Sequence, residues 1–188
     1  MVKVSPELRK FGMRSIALLV LMIARGLSAK YKVLSLGFFL NNLVLFVGWA
    51  IGYFLSDLDD WYYALITRPH ELDSQRVVGL LKTGKWREAR EMVMVTRSSR
   101  EKLPVHNILT GLVVGIVGWW VISSSGSFLG AGVVLGLSVR LWIGLVHETD
   151  YQKWYWVFAR KFTATENRIV VWMWAGLIGL QGWTLIRI

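Results

Sequence analysis

Histidines and carboxylates follow the apolar segments of this chain in a pattern that could bind a metal ion. His147, Glu148 and Asp150 come directly after one apolar segment, and Asp57 begins a polar stretch after another. Imidazole and carboxylate groups bind divalent metals that activate water for hydrolysis. His147, Asp150 and Asp57 are therefore the candidate ligands of a metal-dependent membrane hydrolase. Their spacing matches no strict metal-binding signature, which favours the alternative that they are solvated polar ends of helices.

Arg140 is a second candidate, because it is a charged residue inside an otherwise apolar segment. A charge within a membrane helix is costly and often marks a functional site or an ion pair. Arg140 lies about 10 Å along a helix from His147, so its guanidinium could also reach the phosphate of a lipid headgroup. Together with Asn41 and Asn42 it could instead line a small channel or carrier. The alternative role of both asparagines is hydrogen bonding between helices.

The segments that position these residues are long, apolar and typical of a membrane protein. The 188 residues are 54% hydrophobic and include 11 Trp, far more than a soluble domain of this size contains. A hydrocarbon core of about 30 Å requires about 20 apolar residues in a helix. Four segments are long enough to cross: 33–54, 104–122, 128–146 and 169–186. Most Trp residues, among them Trp154 and Trp174, are predicted to be anchors at headgroup level.

A fifth apolar segment, 15–24, is only ten residues long and lies between Arg14 and Arg25. It can cross a bilayer only if both arginines extend along the helix toward the two interfaces. We predict that it does cross, which makes the fold an all-α, multi-pass transmembrane bundle of five spans, the first of them short. At this length the chain is expected to form a single integral membrane domain over residues 1–188.

The distribution of lysine and arginine predicts the orientation of this bundle, because positive charge concentrates in cytoplasmic loops. With a cytoplasmic N-terminus, the five-span arrangement places seventeen Lys and Arg on the cytoplasmic side and four outside, and leaves Arg140 within a span. We therefore predict a protein of the cell membrane, inner or plasma, with its N-terminus inside and its C-terminus outside. The net charge of +10 then reflects topology, and no nucleic-acid partner is expected.

The polar stretch 57–103 is predicted to be a cytoplasmic insertion that folds as a two-helix hairpin. Residues 72–81 and 86–95 have amphipathic helical periodicity and are separated by Thr83 and Gly84, a pair that ends helices. Four cations lie beside this break: Lys82, Lys85, Arg87 and Arg90. Such a cluster is expected to bind the anionic headgroups of membrane lipids, or a partner membrane protein.

Small residues recur at four-residue spacing in four of the apolar segments, and this spacing places both members of a pair on one helix face. The pairs are Gly48 with Gly52, Gly111 with Gly115, Gly132 with Gly136, and Ala175 with Gly179. They predict close packing of helices, either within the chain or between copies in a homo-oligomer.

No catalytic motif of high specificity is present in the sequence. With no cysteine, the chain has neither a thiolate metal site nor a cysteine nucleophile, and no cofactor is indicated. The leading functional hypothesis is therefore a non-enzymatic accessory or scaffold protein of the membrane, which binds partner proteins or anionic lipid through its basic hairpin. A small oligomeric channel or transporter and a metal-dependent hydrolase are the alternatives.

Overall fold

The computed structural model describes residues 6–28, 35–100, 102–124 and 126–187, and within these ranges all regular structure is helical. The helices are α1 (Pro6–Ser28), α2 (Leu36–Leu55), α3 (Leu58–Tyr62), α4 (Leu72–Lys82), α5 (Trp86–Val95), α6 (Ile108–Ser124), α7 (Phe128–His147) and α8 (Ala164–Arg187). A π-helical turn, Tyr63–Thr67, follows α3, and two 3-10 turns occupy Thr96–Ser99 and Tyr151–Tyr155. The prediction of an all-α fold is confirmed.

Three helical stretches are long and apolar enough to cross a membrane, which is consistent with a membrane protein: Leu36–Thr67, Phe128–His147 and Ala164–Arg187. Helix α6 is also apolar but has 17 residues, slightly fewer than the about 20 that a bilayer core requires. The first stretch joins α2, α3 and the π-helical turn into 32 residues, or about 48 Å at 1.5 Å per residue. This length exceeds the hydrocarbon core of a bilayer. If the apolar part of the stretch lay within a membrane, the segment after Leu55 would therefore lie in polar surroundings.

Helices α2 and α7 run in the same direction and pack closely against each other. Four glycines form the contact: Gly48 and Gly52 on α2, Gly132 and Gly136 on α7. A methyl group at any of them would overlap a backbone oxygen of the other helix. Only glycine permits such an approach, and close backbone packing holds helices together where lipid removes the hydrophobic driving force. This seam lies within one chain.

Helix α8 packs against α6 through larger side chains. The ring of Trp174 fills the space beside Gly111, and Gln181 Nε2 donates a hydrogen bond of 2.8 Å to the carbonyl oxygen of Gly115. Because Gln181 is fully buried, this hydrogen bond joins the two helices in the interior of the bundle. By contrast, a Cβ atom on Gly179 would meet nothing within 4 Å, so this glycine makes no comparable seam with the described residues.

Two of the predicted headgroup anchors, Trp154 and Trp174, belong to the core instead. Their side chains are 3% and 0% exposed, and their rings meet edge to face with centroids 6.3 Å apart. Trp174 Nε1 donates a hydrogen bond of 3.1 Å to Ser138 Oγ on α7. An indole can be buried when its N–H finds such a partner. Trp120 and Trp183 have the exposed rings that the anchor prediction requires.

Helix α1 runs antiparallel to α2 and contacts it through the two arginines that flank its apolar part. Arg14 Nη1 donates a hydrogen bond of 2.7 Å to the Tyr53 hydroxyl. Arg25 is buried, donates from Nη1 to Asn42 Oδ1 at 3.3 Å, and lies over the ring of Phe128 at 4.2 Å. The protein itself therefore supplies a hydrogen-bond partner for each of these arginines.

Helices α4 and α5 form a small unit over residues 72–95, which we call the α4–α5 unit, and it packs on the π-helical turn. Val77, Ala89 and Val93 of this unit form a buried core with Ala64 of the π-helical turn. The amide of Gly84 donates to the carbonyl of Leu81 at 3.0 Å and the amide of Lys85 to that of Leu80 at 2.9 Å. Gly84 has a φ of 74°, the left-handed conformation that ends a helix in this way and that glycine adopts without strain.

Candidate functional site

Three buried aspartates follow the apolar part of α2, and four basic side chains converge on them. Asp57, Asp59 and Asp60 are 9%, 2% and 0% exposed. Burying a carboxylate is costly unless it gains hydrogen bonds and an opposite charge. The basic partners come from the end of the 57–103 stretch, from the residues before α6 and from α7: Arg97, Arg100, His106 and Arg140. We call these seven residues the ionic cluster, and the end of the bundle that carries them the charged end.

Asp57 pairs with Arg140. Arg140 Nη2 donates a hydrogen bond of 3.1 Å to Asp57 Oδ1, and Arg97 Nη1 lies 3.9 Å from the same oxygen. The Arg140 guanidinium also lies over the ring of Tyr53, 5.2 Å from its centre. The sequence proposes different roles for these two residues, ligand binding for Arg140 and metal binding for Asp57. In the structure they form one ion pair.

Asp60 is held by two arginines. Arg100 Nη1 donates to Asp60 Oδ1 at 2.9 Å and to the backbone carbonyl of Asp60 at 3.1 Å. Arg97 Nε lies 3.6 Å from Asp60 Oδ2. Because Arg100 is itself buried and also donates to Thr96 Oγ1 at 3.0 Å, the pair is both charge-compensated and hydrogen-bonded, as a buried ion pair must be.

Asp59 fixes the chain segment that leads into α6. Its Oδ2 accepts hydrogen bonds from the backbone amides of Val105 at 2.9 Å and His106 at 3.0 Å, and it lies 3.0 Å from His106 Nδ1. The other ring nitrogen of His106, Nε2, faces Arg97 Nη2. A guanidinium can only donate, so Nε2 is the acceptor there.

The ionic cluster joins both ends of the 57–103 stretch to the bundle. The aspartates begin this stretch, Arg97 and Arg100 end it, and Arg140 belongs to α7. Three carboxylates face three guanidinium groups, so the formal charges of the aspartates and the arginines balance. A buried network of ion pairs and hydrogen bonds of this kind holds its elements in one arrangement.

The three proposed metal ligands are not brought together. Asp57 is engaged by Arg140, as described above. Asp150 Oδ1 accepts from the amide of Gln152 at 3.3 Å, and His147 Nδ1 lies 3.1 Å from the carbonyl oxygen of Ile143. Among the residues that the structure describes, no group of three or more His, Asp or Glu side chains is placed to hold a metal ion.

The residues proposed to line a channel lie at different levels of the bundle. Asn42 contacts Arg25, whereas Arg140 lies over Tyr53. Tyr53 is eleven residues beyond Asn42 along α2, which corresponds to about 16 Å at 1.5 Å per residue. Asn41, the neighbour of Asn42, is half-buried. Arg140 and the two asparagines are therefore separated along the bundle and do not form one cluster.

The four cations predicted to bind lipid lie on the exposed surface of the α4–α5 unit. Lys85 and Arg87 each lie 3.5 Å from a glutamate one turn further along α5. Trp86, between them, is 67% exposed, and Lys82 and Arg90 are exposed as well. Exposed ion pairs at this spacing are weak, so these cations can exchange their partners for an anionic surface.

A cavity of about 200 Å³ opens beside the ionic cluster, and we call it the basic pocket. Five cations and one carboxylate line it: Arg97, Arg100, Lys102, Arg140, Lys153 and Glu148. Arg140 reaches it from α7 as a buried side chain, 7% exposed. Its Nε has no hydrogen-bond partner within the described part of the chain.

The 3-10 turn Tyr151–Tyr155 forms one wall of the basic pocket and is anchored by Tyr155. Tyr155 is 2% exposed, stacks on Phe162 with centroids 4.2 Å apart, and donates a hydrogen bond of 2.9 Å to Asn167 Oδ1 on α8. Burial, followed by the negative charge of Glu166, raises the pKa of Tyr155 to about 12. The phenol is therefore a neutral, fixed donor that ties this turn to α8.

Sequence reasoning missed Arg97 and Arg100, which it counts only among the charges of a basic loop. The sequence does contain one indication that such partners exist, namely the run of acids directly after an apolar segment, because carboxylates at a membrane boundary require cations nearby. Spacing does not say which cations these are, since Arg100 lies 40 residues from Asp60.

Comparisons with protein-family models, curated proteins and solved structures find no match to this chain. The features of this chain that bear on its function are the ionic cluster, the basic pocket and the exposed face of the α4–α5 unit.

Proposed function

We propose that this chain is a non-enzymatic, multi-pass accessory or scaffold protein of the cell membrane, whose α4–α5 unit binds anionic lipid at the cytoplasmic surface. The observation that carries the proposal is the ionic cluster, which ties both ends of the 57–103 stretch to the bundle. A unit held in this way keeps one face on the π-helical turn. Its opposite face, with Trp86 and the exposed cations, is left for a partner surface.

Five membrane spans are part of this proposal. Helix α1 has 23 residues, about 34 Å at 1.5 Å per residue, and it lies beside α2 in the opposite direction. Each of its two arginines donates a hydrogen bond to α2, Arg14 to Tyr53 and Arg25 to Asn42, which lowers the cost of holding them at membrane depth. If α1, α2, α6, α7 and α8 all cross, the charged end collects seventeen Lys and Arg and faces the cytoplasm by the positive-inside rule.

The chemistry of the exposed face of the α4–α5 unit fits an anionic lipid surface. Tryptophan rings favour the headgroup level. Residues 72–95 carry five cations and three acids, an excess of two positive charges. At about 1 kcal/mol for each charge near an anionic leaflet, this excess is worth roughly 2 kcal/mol, or about 30-fold in binding.

A single-cysteine label tests the proposal cleanly, because the chain has no native cysteine. Trp86→Cys is labelled with an environment-sensitive fluorophore, and the protein is reconstituted in nanodiscs of neutral lipid with or without anionic lipid. We expect anionic lipid to shift the emission to shorter wavelength. Reversal of Lys82, Lys85 and Arg90 to glutamate should abolish the shift. Identical spectra in the two lipid compositions would contradict the proposal.

Ser123→Cys provides the matched control, because Ser123 is exposed and lies at the opposite end of α6 from the ionic cluster. A label at this position can report a general effect of lipid charge on the fluorophore. Any shift measured there should be unchanged by the charge reversal on the α4–α5 unit.

A further inference from the structure

We infer that the basic pocket binds a phosphate group, carried either by a lipid headgroup or by a small soluble phosphate compound. This inference goes beyond the proposed function, which places lipid binding on the exposed face of the α4–α5 unit. The basic pocket is a different site, which shares Arg97 and Arg140 with the ionic cluster and adds Lys102 and Lys153.

The pocket contains a donor that the ionic cluster does not use. A guanidinium carries five N–H donors. Arg140 uses Nη2 to bind Asp57, while its buried Nε has no partner among the described residues. A buried donor on a charged group is costly when it is left unsatisfied, so such groups nearly always have an acceptor. An anion that enters the pocket would supply the missing acceptor.

Charge also favours an anion in the pocket. The three aspartates of the ionic cluster balance its three arginines. Among the described residues, the pocket lining adds Lys102, Lys153 and the carboxylate of Glu148. Five cations and one carboxylate therefore line a small space next to a low-dielectric bundle, where charges interact more strongly than in water.

The size of the pocket and the direction of its donors fit a single phosphate group. Its volume of about 200 Å³ lies below the 300–1,000 Å³ or so that drug-sized ligands occupy, so a phosphate fits better than a whole nucleotide. The donors come from three sides, namely the segment after α5, α7 and the turn Tyr151–Tyr155. This arrangement suits tetrahedral oxygens better than a flat carboxylate, and arginine binds phosphate through paired N–H groups.

The position of the pocket gives access from lipid and from water. Arg140 lies seven residues from the end of α7, about 10 Å along the helix, and Lys153 lies beyond that end. The pocket is therefore at headgroup level, a statement that rests on the five spans of the proposed function. A lipid phosphate could enter from the side and a soluble phosphate compound from the cytoplasm, and both present the same oxygens.

Two probes separate these sources: short-chain phosphatidic acid and inorganic phosphate. Native mass spectrometry of the protein in neutral detergent counts bound phosphatidic acid, and the Tm is measured at rising concentrations of inorganic phosphate. We expect saturable binding of one phosphate group per chain. In the variant Lys102→Ala/Lys153→Ala, binding should weaken about tenfold or more, as the loss of two charged contacts predicts. Binding of the lipid alone identifies a headgroup site, and stabilisation by inorganic phosphate identifies a soluble ligand.

Lys82→Ala/Arg90→Ala is the matched control, since it removes two cations from the α4–α5 unit and leaves the pocket intact. It should keep phosphate binding within about twofold of the unmodified protein while weakening the lipid response of the α4–α5 unit. The two proposals can therefore fail independently. The inference is overturned if the pocket variant binds both probes as tightly as the unmodified protein, or if the unmodified protein binds neither probe.

Discussion

Removal of Arg140 tests whether the ionic cluster stabilises the bundle. Arg140→Met leaves Asp57 without its donor at 3.1 Å, and the nearest remaining cation is Arg97, with Nη1 3.9 Å away. Removing one partner from a buried ion pair costs about 3–5 kcal/mol. Because the Asp57 side chain is 12% exposed and keeps Arg97, we expect the lower part of this range, about 3 kcal/mol.

A double-mutant cycle with Asp57→Asn isolates the contribution of the pair. The double variant no longer contains a buried charge that lacks its partner. Its loss of unfolding free energy should therefore be about 2 kcal/mol smaller than the sum of the losses in the two single variants. The free energy of unfolding is measured in mixed micelles with a denaturing detergent, followed by tryptophan fluorescence. Single effects that add within about 0.5 kcal/mol would show that the two side chains do not interact.

Arg87→Met serves as the control for this cycle. It also removes an arginine paired with an acid, but the Arg87 side chain is 93% exposed. Exposed pairs contribute little, so the free energy of unfolding should change by no more than about 0.5 kcal/mol. A loss as large as that of Arg140→Met would mean that burial is not what makes the Arg140 pair important.

The remaining predictions concern helix packing and alkaline pH. Gly52→Ala should destabilise the protein by about 1–3 kcal/mol, because its methyl group would overlap the backbone of α7, whereas Gly179→Ala faces open space and should be neutral or slightly stabilising. Thermal unfolding of the two variants measures the difference, and equal effects would refute the α2–α7 seam. Burial raises the pKa of Tyr155 from 10.0 to about 12, so its contribution to stability is complete below pH 10 and is lost as the pH rises through 12. The unmodified protein should lose stability over this interval relative to Tyr155→Phe, and parallel pH profiles would contradict the shift.

Local features of the fold could be predicted well from the sequence. The short helices expected at 72–81 and 86–95 correspond to Leu72–Lys82 and Trp86–Val95. The break between them depends on Gly84, whose left-handed backbone is a local property of that residue. The positions of the apolar segments could also be predicted, because the length and hydropathy of a helix depend on consecutive residues.

The faces of the apolar helices could not be predicted in this way. Lipid is as apolar as a protein core, so hydropathy does not distinguish a side chain that faces a neighbouring helix from one that faces lipid. Trp174 illustrates the difficulty, because its position near the end of an apolar segment suits a headgroup anchor, yet its ring packs beside Gly111. For the same reason, hydropathy did not indicate that Arg14 and Arg25 find hydrogen-bond partners on α2.

The amino-acid sequence by itself determined that this chain is helical, where its apolar segments lie, and that acids and arginines at the ends of those segments would need compensation. Only the tertiary structure decided which charges meet. Asp57 and Arg140 are 83 residues apart, and they pair because the glycine seam brings α2 and α7 together in the same direction. A buried charge requires an opposite charge nearby, but which one it finds depends on how the helices pack.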